Sequence, residues 1–249
     1  MQSTPRALKS DTIFECVLEV RCAPGHESAA QLIPGMVFGD LGDLFQRLIN
    51  LPLASAPKEL LAIQPQLAYQ VTHRLEGSGP MLLVGPRSVA VTFVKPYPGW
   101  ASVMPIMVRC VNAVLKTKLL GAVERCSIRF VNLLSVGRDE NDLSQLKLNL
   151  QLDGFILRKE GIAVRAEIEV DGCISVVEIM SGATVTNSEG RFGPATGVLC
   201  NVDTVRLGPF KDFQRELPTV LEQIHNTEKK IYFGLLSDDT LARLEPVWD

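Results

Sequence analysis

The sequence has few of the residue types and motifs on which enzyme chemistry depends. Only three histidines occur among 249 residues, and aromatic residues make up 6% of the chain. The six cysteines form no Cys-x-x-Cys pair, and Gly-x-Ser-x-Gly, His-Glu-x-x-His and Walker-type phosphate loops are missing from the sequence. We therefore expect no catalytic residues, no metal and no cofactor, and an enzyme with an unrecognised site is the weakest of three functional hypotheses.

A surplus of positive charge is also missing. Lysine and arginine number 25 against 28 aspartates and glutamates, which gives a net charge of −3. Proteins that bind nucleic acid electrostatically usually carry a basic surplus, so a nucleic-acid-binding regulator is an alternative that the composition does not favour. Apolar residues make up 46% of the chain, and this fraction with so small a net charge excludes a disordered protein.

Long uninterrupted hydrophobic runs are lacking as well. The most hydrophobic segment, 103–120, contains a proline and three basic residues and cannot be a simple membrane span. Residues 1–11 are polar and no apolar segment follows them, which predicts a flexible N-terminus, no secretory signal and a cytoplasmic location. The cysteines lie mostly among aliphatic residues, so we expect buried, reduced thiols.

Hydrophobic periodicity predicts alternating strands and helices. Apolar residues alternate over 12–22, as in a half-buried strand, whereas helical spacing over 41–51 predicts a helix. Strands are further expected over 66–75, 81–84, 88–95, 126–134, 146–157, 163–170, 174–181 and 198–207. Helices are expected over 100–119 and 212–235, and a short helix is expected to follow Ser237 as its N-cap.

Two strand-to-helix junctions match each other in sequence. In each, a proline and an aromatic residue are followed three residues later by another aromatic residue, and equivalent positions are 113 residues apart. Such a match indicates an internal duplication, with a first α+β repeat over 12–122 and a second over 123–249 that forms one continuous domain with it. The predicted structural anchors, where each long helix meets its sheet, are Pro96, Tyr97, Trp100, Pro209, Phe210 and Phe213.

The duplicated pattern of strands and helices predicts an α+β fold. Two such units join most simply into one pseudo-duplicated, curved antiparallel sheet with two long helices. This architecture is similar to TATA-box-binding-protein-like or helix-grip folds. Function does not follow from that similarity, because one fold serves many functions.

Charged residues of both signs lie on the outward-facing positions of the predicted strands. A face of mixed charge suits a protein partner better than a phosphate backbone, which requires a basic stripe. A protein partner is therefore favoured over nucleic acid, and the oligomeric state stays open. The candidate interaction surface consists of Glu15, Glu19, Arg129, Arg165, Glu167 and Glu169.

One pair of residues has a spacing that metal sites use. Glu222 and His225 would lie on the same face of a helix, but the matching helix offers Arg109 and Asn112 at the equivalent positions. These side chains are unsuitable as further ligands. We therefore expect a hydrogen bond between helices, or a solvated face, in place of a metal site.

Several segments resemble the signature blocks of an uncharacterised, sporadically distributed prokaryotic protein family. Val94-Lys95-Pro96-Tyr97-Pro98-Gly99-Trp100 resembles its Pro-Tyr-x-Gly-Trp block, and Ile128-Arg129-Phe130-Val131-Asn132-Leu133-Leu134 resembles its Leu-Arg-Tyr-Ile-Asn-Arg-Ile block. Asn201-Val202-Asp203-Thr204 is similar to a third block, and the end of the chain is similar at His225, Phe233 and Leu244. Leu133 stands where the family usually has its second arginine.

The resemblance implies a setting for the protein and leaves its activity open. The family has no agreed activity, and its patchy distribution implies horizontal transfer, as for genes in defence or mobile clusters. Together with the mixed-charge face, this leads us to expect a non-enzymatic protein-interaction or regulatory accessory subunit, and the resemblance implies a prokaryotic defence or mobile gene cluster as its setting.

Overall fold

The computed structural model describes residues 4–55, 65–135, 142–159, 161–186 and 193–248. The first half of the described chain contains six strands and two helices. In chain order they are β1 (Ala7–Leu8), β2 (Ile13–Cys22), α1 (Ala29–Asp40), β3 (Arg47–Asn50), β4 (His73–Glu76), β5 (Met81–Val84), β6 (Ser88–Val94) and α2 (Trp100–Lys116).

The second half adds seven strands and two helices. They are β7 (Val123–Leu134), β8 (Leu150–Leu152), β9 (Phe155–Leu157), β10 (Ala163–Val170), β11 (Cys173–Val185), β12 (Ala195–Leu207), α3 (Phe213–Leu235), α4 (Asp238–Arg243) and β13 (Pro246–Val247). Short 3-10 turns occur at Pro52–Ser55, Pro65–Tyr69 and Leu143–Gln145.

Nine strands form one large antiparallel sheet, in the order β10-β11-β12-β7-β2-β6-β5-β4-β3. Two smaller ladders lie outside this sheet, one between β1 and β13 and one between β8 and β9. The α+β class and the large antiparallel sheet are therefore confirmed. The finer prediction of a duplicated, TATA-box-binding-protein-like or helix-grip-like fold stays a prediction.

Strand β2 shows how the sequence pattern produces this sheet. Its side chains alternate strictly between buried and half-buried positions, because successive residues of a strand point to opposite faces. The buried face is apolar throughout, and the other face carries Glu15, Glu19 and Arg21. The strand predicted over 12–22 is thus confirmed.

The chain forms two compact units. One unit comprises Cys16–Ile128 and Val205–Ile224, and we call it the α2 unit. The other comprises Met1–Glu15, Arg129–Thr204 and His225–Asp249, and we call it the hairpin unit after β8 and β9. Each unit combines segments from both halves of the chain, and the predicted duplication of 12–122 in 123–249 stays a prediction.

The helix predicted over 41–51 is wrong. Helix α1 ends at Asp40, and Arg47–Asn50 forms β3, in which Arg47 pairs with Glu76 of β4. Pairing with β4 satisfies the backbone groups of this segment and overrides its helical spacing. Pro34 and Gly35 weaken the helical signal of the true helix, because both residues disfavour a helix interior.

Two predicted strands are also shorter than expected. Within 66–75, the described chain forms a 3-10 turn that ends at Tyr69, and β4 begins only at His73. Within 146–157, the chain folds back on itself as the hairpin of β8 and β9. Asp153 and Gly154 at its turn both have positive φ angles, 43° and 82°, as a tight two-residue hairpin turn requires.

The long helices and the state of the cysteines follow the predictions. Helices α2 and α3 cover most of the predicted ranges, and the Ser237 hydroxyl caps α4 by accepting a hydrogen bond from the backbone N–H of Thr240. All six cysteines are buried and reduced, which confirms that prediction. Within the described ranges, no helix is long and apolar enough to cross a membrane.

Candidate functional site

The candidate interaction surface contains several ion pairs. In the hairpin unit, Glu15 lies 3.2 Å from Arg129, and Glu167 lies 2.7 Å from Arg165. Arg165 also approaches Glu178 of the neighbouring strand at 3.8 Å. These side chains are half-buried or exposed, and exposed ion pairs contribute little to stability. Their charges define a pattern of mixed sign.

Glu19 belongs to the α2 unit, whereas the other five residues of that surface belong to the hairpin unit. Its carboxylate accepts hydrogen bonds from the Arg21 Nε–H at 2.8 Å and from Arg125 at 2.7 Å. Nearby, the guanidinium groups of Arg21 and Arg87 both lie within 5.0 Å of the Tyr69 ring centroid. This part of the sheet face is therefore a network of arginine, glutamate and tyrosine.

The six predicted anchors all fall in the α2 unit. Phe213 is buried and packs edge-on against Phe210, with ring centroids 4.8 Å apart. Trp100 and Tyr97 are half-buried, whereas Pro96 and Pro209 are exposed. Both prolines follow cis peptide bonds.

Glu222 bonds to the ring of a predicted anchor. Its carboxylate accepts a hydrogen bond from the Trp100 indole N–H at 3.0 Å. His225 packs its ring 6.0 Å from that of Phe130, and burial lowers the pKa of His225 to about 3. Across the described residues, no group of three or more His, Cys, Asp and Glu side chains is placed to hold a metal ion.

A buried polar cluster lies inside the hairpin unit, and we call it the Thr12 cluster. The Thr12 hydroxyl donates a hydrogen bond to Asn132 Oδ1 at 2.9 Å and lies 2.7 Å from the Tyr232 hydroxyl. Glu228, one helical turn before Tyr232 on α3, is 4% exposed and interacts electrostatically with that tyrosine. We include Glu228 in the cluster.

The carboxyl group of Glu228 is strongly affected by its burial. Burial raises the pKa of Glu228 to about 8, against a smaller opposing effect of Lys229. Within the described residues, Glu228 Oε1 has no hydrogen-bond partner. The group is therefore mostly neutral near pH 7, because ionisation of a carboxyl group in the protein interior is costly.

The buried thiols are poorly suited to nucleophilic chemistry. Burial, with a smaller contribution from Glu228, raises the pKa of Cys200 to about 12. Burial likewise raises the pKa of Cys22 and of Cys110 to about 12. Because the thiolate is the reactive form, these three cysteines are inert near neutral pH.

The hairpin of β8 and β9 exposes a group of large apolar side chains. Leu152, Phe155 and Ile156 are 66%, 72% and 67% exposed. They flank the Asp153-Gly154 turn, and Leu152 pairs directly with Phe155. We call these three residues the hairpin tip. Grouped apolar side chains in water mark interaction sites more often than scattered ones do.

The comparisons leave the family open. No family model matches the chain, and no curated protein matches it either. The resemblance to the sporadically distributed family therefore stays a prediction that depends on its signature blocks.

Sequence reasoning missed both the Thr12 cluster and the hairpin tip. Glu228 and Tyr232 are four residues apart on α3, on the same helical stripe as the buried Leu221 and Ile224. Polar residues on an otherwise apolar stripe indicate a buried polar cluster, and this signal was present in the sequence. The Asp153-Gly154 dipeptide between apolar residues is a strong hairpin signal. The sequence does not show that the residues beside that turn stay uncovered.

Proposed function

We propose that the protein is a non-enzymatic protein-interaction or regulatory accessory subunit that contacts its partner with the hairpin tip. The supporting observation is the exposure of Leu152, Phe155 and Ile156 beside one tight turn, with Leu152 and Phe155 on one face of the hairpin and Ile156 on the other. Burying one such side chain in an interface contributes about 1.5–3 kcal/mol. Burial of the whole tip in an interface would therefore contribute several kcal/mol to the free energy of binding.

The base of the hairpin attaches this tip to the folded core. Leu150 pairs with Leu157 at the base and packs against the buried core of the hairpin unit. Just beyond the hairpin, the carbonyl of Arg158 accepts a hydrogen bond from the backbone N–H of Leu143 at 2.8 Å. An anchored hairpin loses less conformational freedom on binding than a flexible loop, which favours affinity.

The chemistry of the tip indicates the kind of partner. One aromatic and two aliphatic side chains suit an apolar pocket or groove on another protein, where aromatic residues act as anchors. Arg129, Arg165 and Arg125 already lie against carboxylates, so the sheet face presents mixed charge to a partner. Mixed charge can orient a protein partner, whereas a nucleic-acid backbone requires a basic stripe.

The test is affinity purification from the native host with quantitative mass spectrometry. We expect wild type to recover one partner in a stable ratio, and the double variant Phe155→Ser/Ile156→Ser to lose it. Exposed substitutions change the free energy of unfolding by about 0.5 kcal/mol or less, so the variant should stay folded. The purified partner is then titrated directly by calorimetry.

The matched control is Leu32→Ser/Met36→Ser on α1. Those two side chains are also large, apolar and about half exposed, but they lie in the α2 unit. This control should retain the partner. Equal recovery by wild type and by the tip variant would refute the proposal. A partner encoded beside this gene would support the predicted defence or mobile setting, which so far follows from the resemblance alone.

A further inference from the structure

Strand β10 ends the nine-stranded sheet and is exposed on both faces. It pairs with β11 along one side, from Ala163 opposite Met180 to Val170 opposite Cys173. On its other side, no strand of the described chain pairs with it. Six of its eight residues are exposed, including Ile168 at 40%. Its outer edge therefore presents backbone N–H and C=O groups for pairing.

This edge lacks the usual protection against strand pairing. Natural edge strands are often blocked by proline, lysine, a bulge or a charge on the inward face. Strand β10 contains neither proline nor lysine, and it pairs with β11 in continuous register. Its inward face is Val164, Ala166, Ile168 and Val170, without a charge. An edge of this kind favours a strand partner.

The sequence of β10 complements itself when two copies pair antiparallel about Ala166. In that register Arg165 of each copy lies opposite Glu167 of the other, which gives two opposite-charge pairs on one face. On the other face Val164 lies opposite Ile168 of the other copy, and the two Ala166 residues meet. Directly opposite side chains lie about 5 Å apart and stabilise a sheet when they match in this way.

Neighbouring symmetric registers are less favourable. Pairing about Glu167 places the two Glu167 carboxylates opposite each other, although Arg165 then lies opposite Glu169 of the other copy. Pairing about Arg165 opposes the two arginines. Like charges directly opposite destabilise a strand pair. A shift by a single residue would turn the apolar face of one copy to the same side as the charged face of the other copy. Of these three registers, the one centred on Ala166 therefore has opposite-charge pairs and no like-charge pair.

We propose that two copies of this chain associate through β10, antiparallel and centred on Ala166, so that the large sheet continues from one copy into the other. Within one chain Glu167 already pairs with Arg165 at 2.7 Å, so both side chains are placed on the same face of the strand. In the dimer, the same two residues form pairs across the two-fold axis. The contact buries Ile168 and satisfies the edge backbone groups.

Sedimentation equilibrium across a dilution series tests this proposal with two charge reversals. Wild type is expected to dimerise. Arg165→Glu and Glu167→Arg each replace both opposite-charge pairs with like-charge pairs, and each should weaken dimerisation about tenfold or more. Mixing the two variants restores opposite charge at both pairs, so a heterodimer of near wild-type affinity is expected.

The control is Glu169→Arg, a reversal on the same face of β10. In the proposed register Glu169 lies opposite Ala163 of the other copy, so this variant should dimerise like wild type. Heterodimer formation also shows that both reversal variants are folded. A wild type that stays monomeric at every concentration, or reversals that leave the dimer unchanged, would overturn the proposal. An equally weakened Glu169→Arg, or no heterodimer on mixing, would overturn the register.

The self-association is independent of the proposed hairpin partner. Phe155→Ser/Ile156→Ser should dimerise like wild type, because the tip lies outside β10. If the tip variant retains its partner and wild type dimerises, the proposed function fails and the dimer stands. If wild type is monomeric but loses its partner on tip substitution, the dimer fails and the proposed function stands.

Discussion

The hydroxyl groups of Thr12 and Tyr232 lie 2.7 Å apart inside the hairpin unit. Because the single Thr12 hydrogen is donated to Asn132 Oδ1, the Tyr232 hydroxyl donates to Thr12 Oγ1. The chain of donors therefore runs from α3 through Thr12 to β7. It connects residues far apart in sequence within a buried region, where hydrogen bonds are not replaced by water.

Removing the Tyr232 hydroxyl should destabilise the protein. Tyr232→Phe deletes one donor and leaves Thr12 Oγ1 without it in the interior. An unmade buried hydrogen bond costs about 1–3 kcal/mol, and the ring itself is retained. Urea denaturation of wild type and variant measures the difference in the free energy of unfolding.

A double-mutant cycle with Thr12→Val assigns that loss to the hydrogen bond. If the two hydroxyls interact, the double variant should lose less than the two single losses combined, by about 0.5–1.5 kcal/mol. If the losses of the two single variants simply add in the double variant, the two hydroxyl groups do not interact energetically despite the short distance between them.

Glu228 should make stability depend on pH. Its pKa is raised from 4.5 to about 8 in the folded protein, so between these values the unfolded chain releases a proton that the folded chain retains. The contribution of the neutral carboxyl is therefore fully present below pH 4.5 and is lost as the pH rises through 8. The expected slope is at most about 1.4 kcal/mol per pH unit.

The variant Glu228→Gln isolates this dependence, because the amide is close in shape and does not titrate. Its free energy of unfolding, relative to wild type, should increase steadily from pH 4.5 to pH 8 and level off above that range. Measurement at five pH values in one buffer system is sufficient. Parallel curves for the two proteins would mean that Glu228 ionises in the folded state much as it does in the unfolded chain.

The bond between Trp100 and Glu222 should make a modest contribution to the stability of the α2 unit. Glu222→Ala removes the acceptor of the indole N–H, whereas Glu222→Gln retains a carbonyl oxygen there. We expect a loss of about 0.5–1.5 kcal/mol for the alanine variant and a smaller loss for glutamine. Trp100→Phe serves as the background in which both substitutions should become nearly silent.

Binding to nucleic acid should be weak and non-specific. Arg129, Arg165 and Arg125 lie against carboxylates, so these three arginines of the sheet face are poorly placed to displace counterions from a phosphate backbone. A gel-shift titration with duplex DNA and single-stranded RNA at physiological salt checks this. A discrete complex that resists added salt would favour the nucleic-acid alternative over a protein partner.

The periodicity of apolar residues predicted those strands and helices that bury one face against a single neighbouring layer of the fold. Strand β2 and helices α2 and α3 each have a clear apolar face, so the pattern of side chains indicates both the element and its buried side. The reduced state of the cysteines likewise followed from their aliphatic neighbours. The functional expectation came from charge pattern and resemblance, and it stays a proposal.

Other features depend on pairing and coverage, which local sequence does not specify. Residues 47–50 form a strand because β4 lies beside them, and Glu228 is neutral near pH 7 because the folded core excludes water from it. Ile168 of β10 and the apolar residues of the hairpin tip resemble core residues in sequence, yet the fold leaves them exposed. The periodicity of apolar residues along the sequence determined the α+β class and the apolar faces, whereas the tertiary structure decided which apolar and polar groups lie in water, since burial depends on residues distant in the chain.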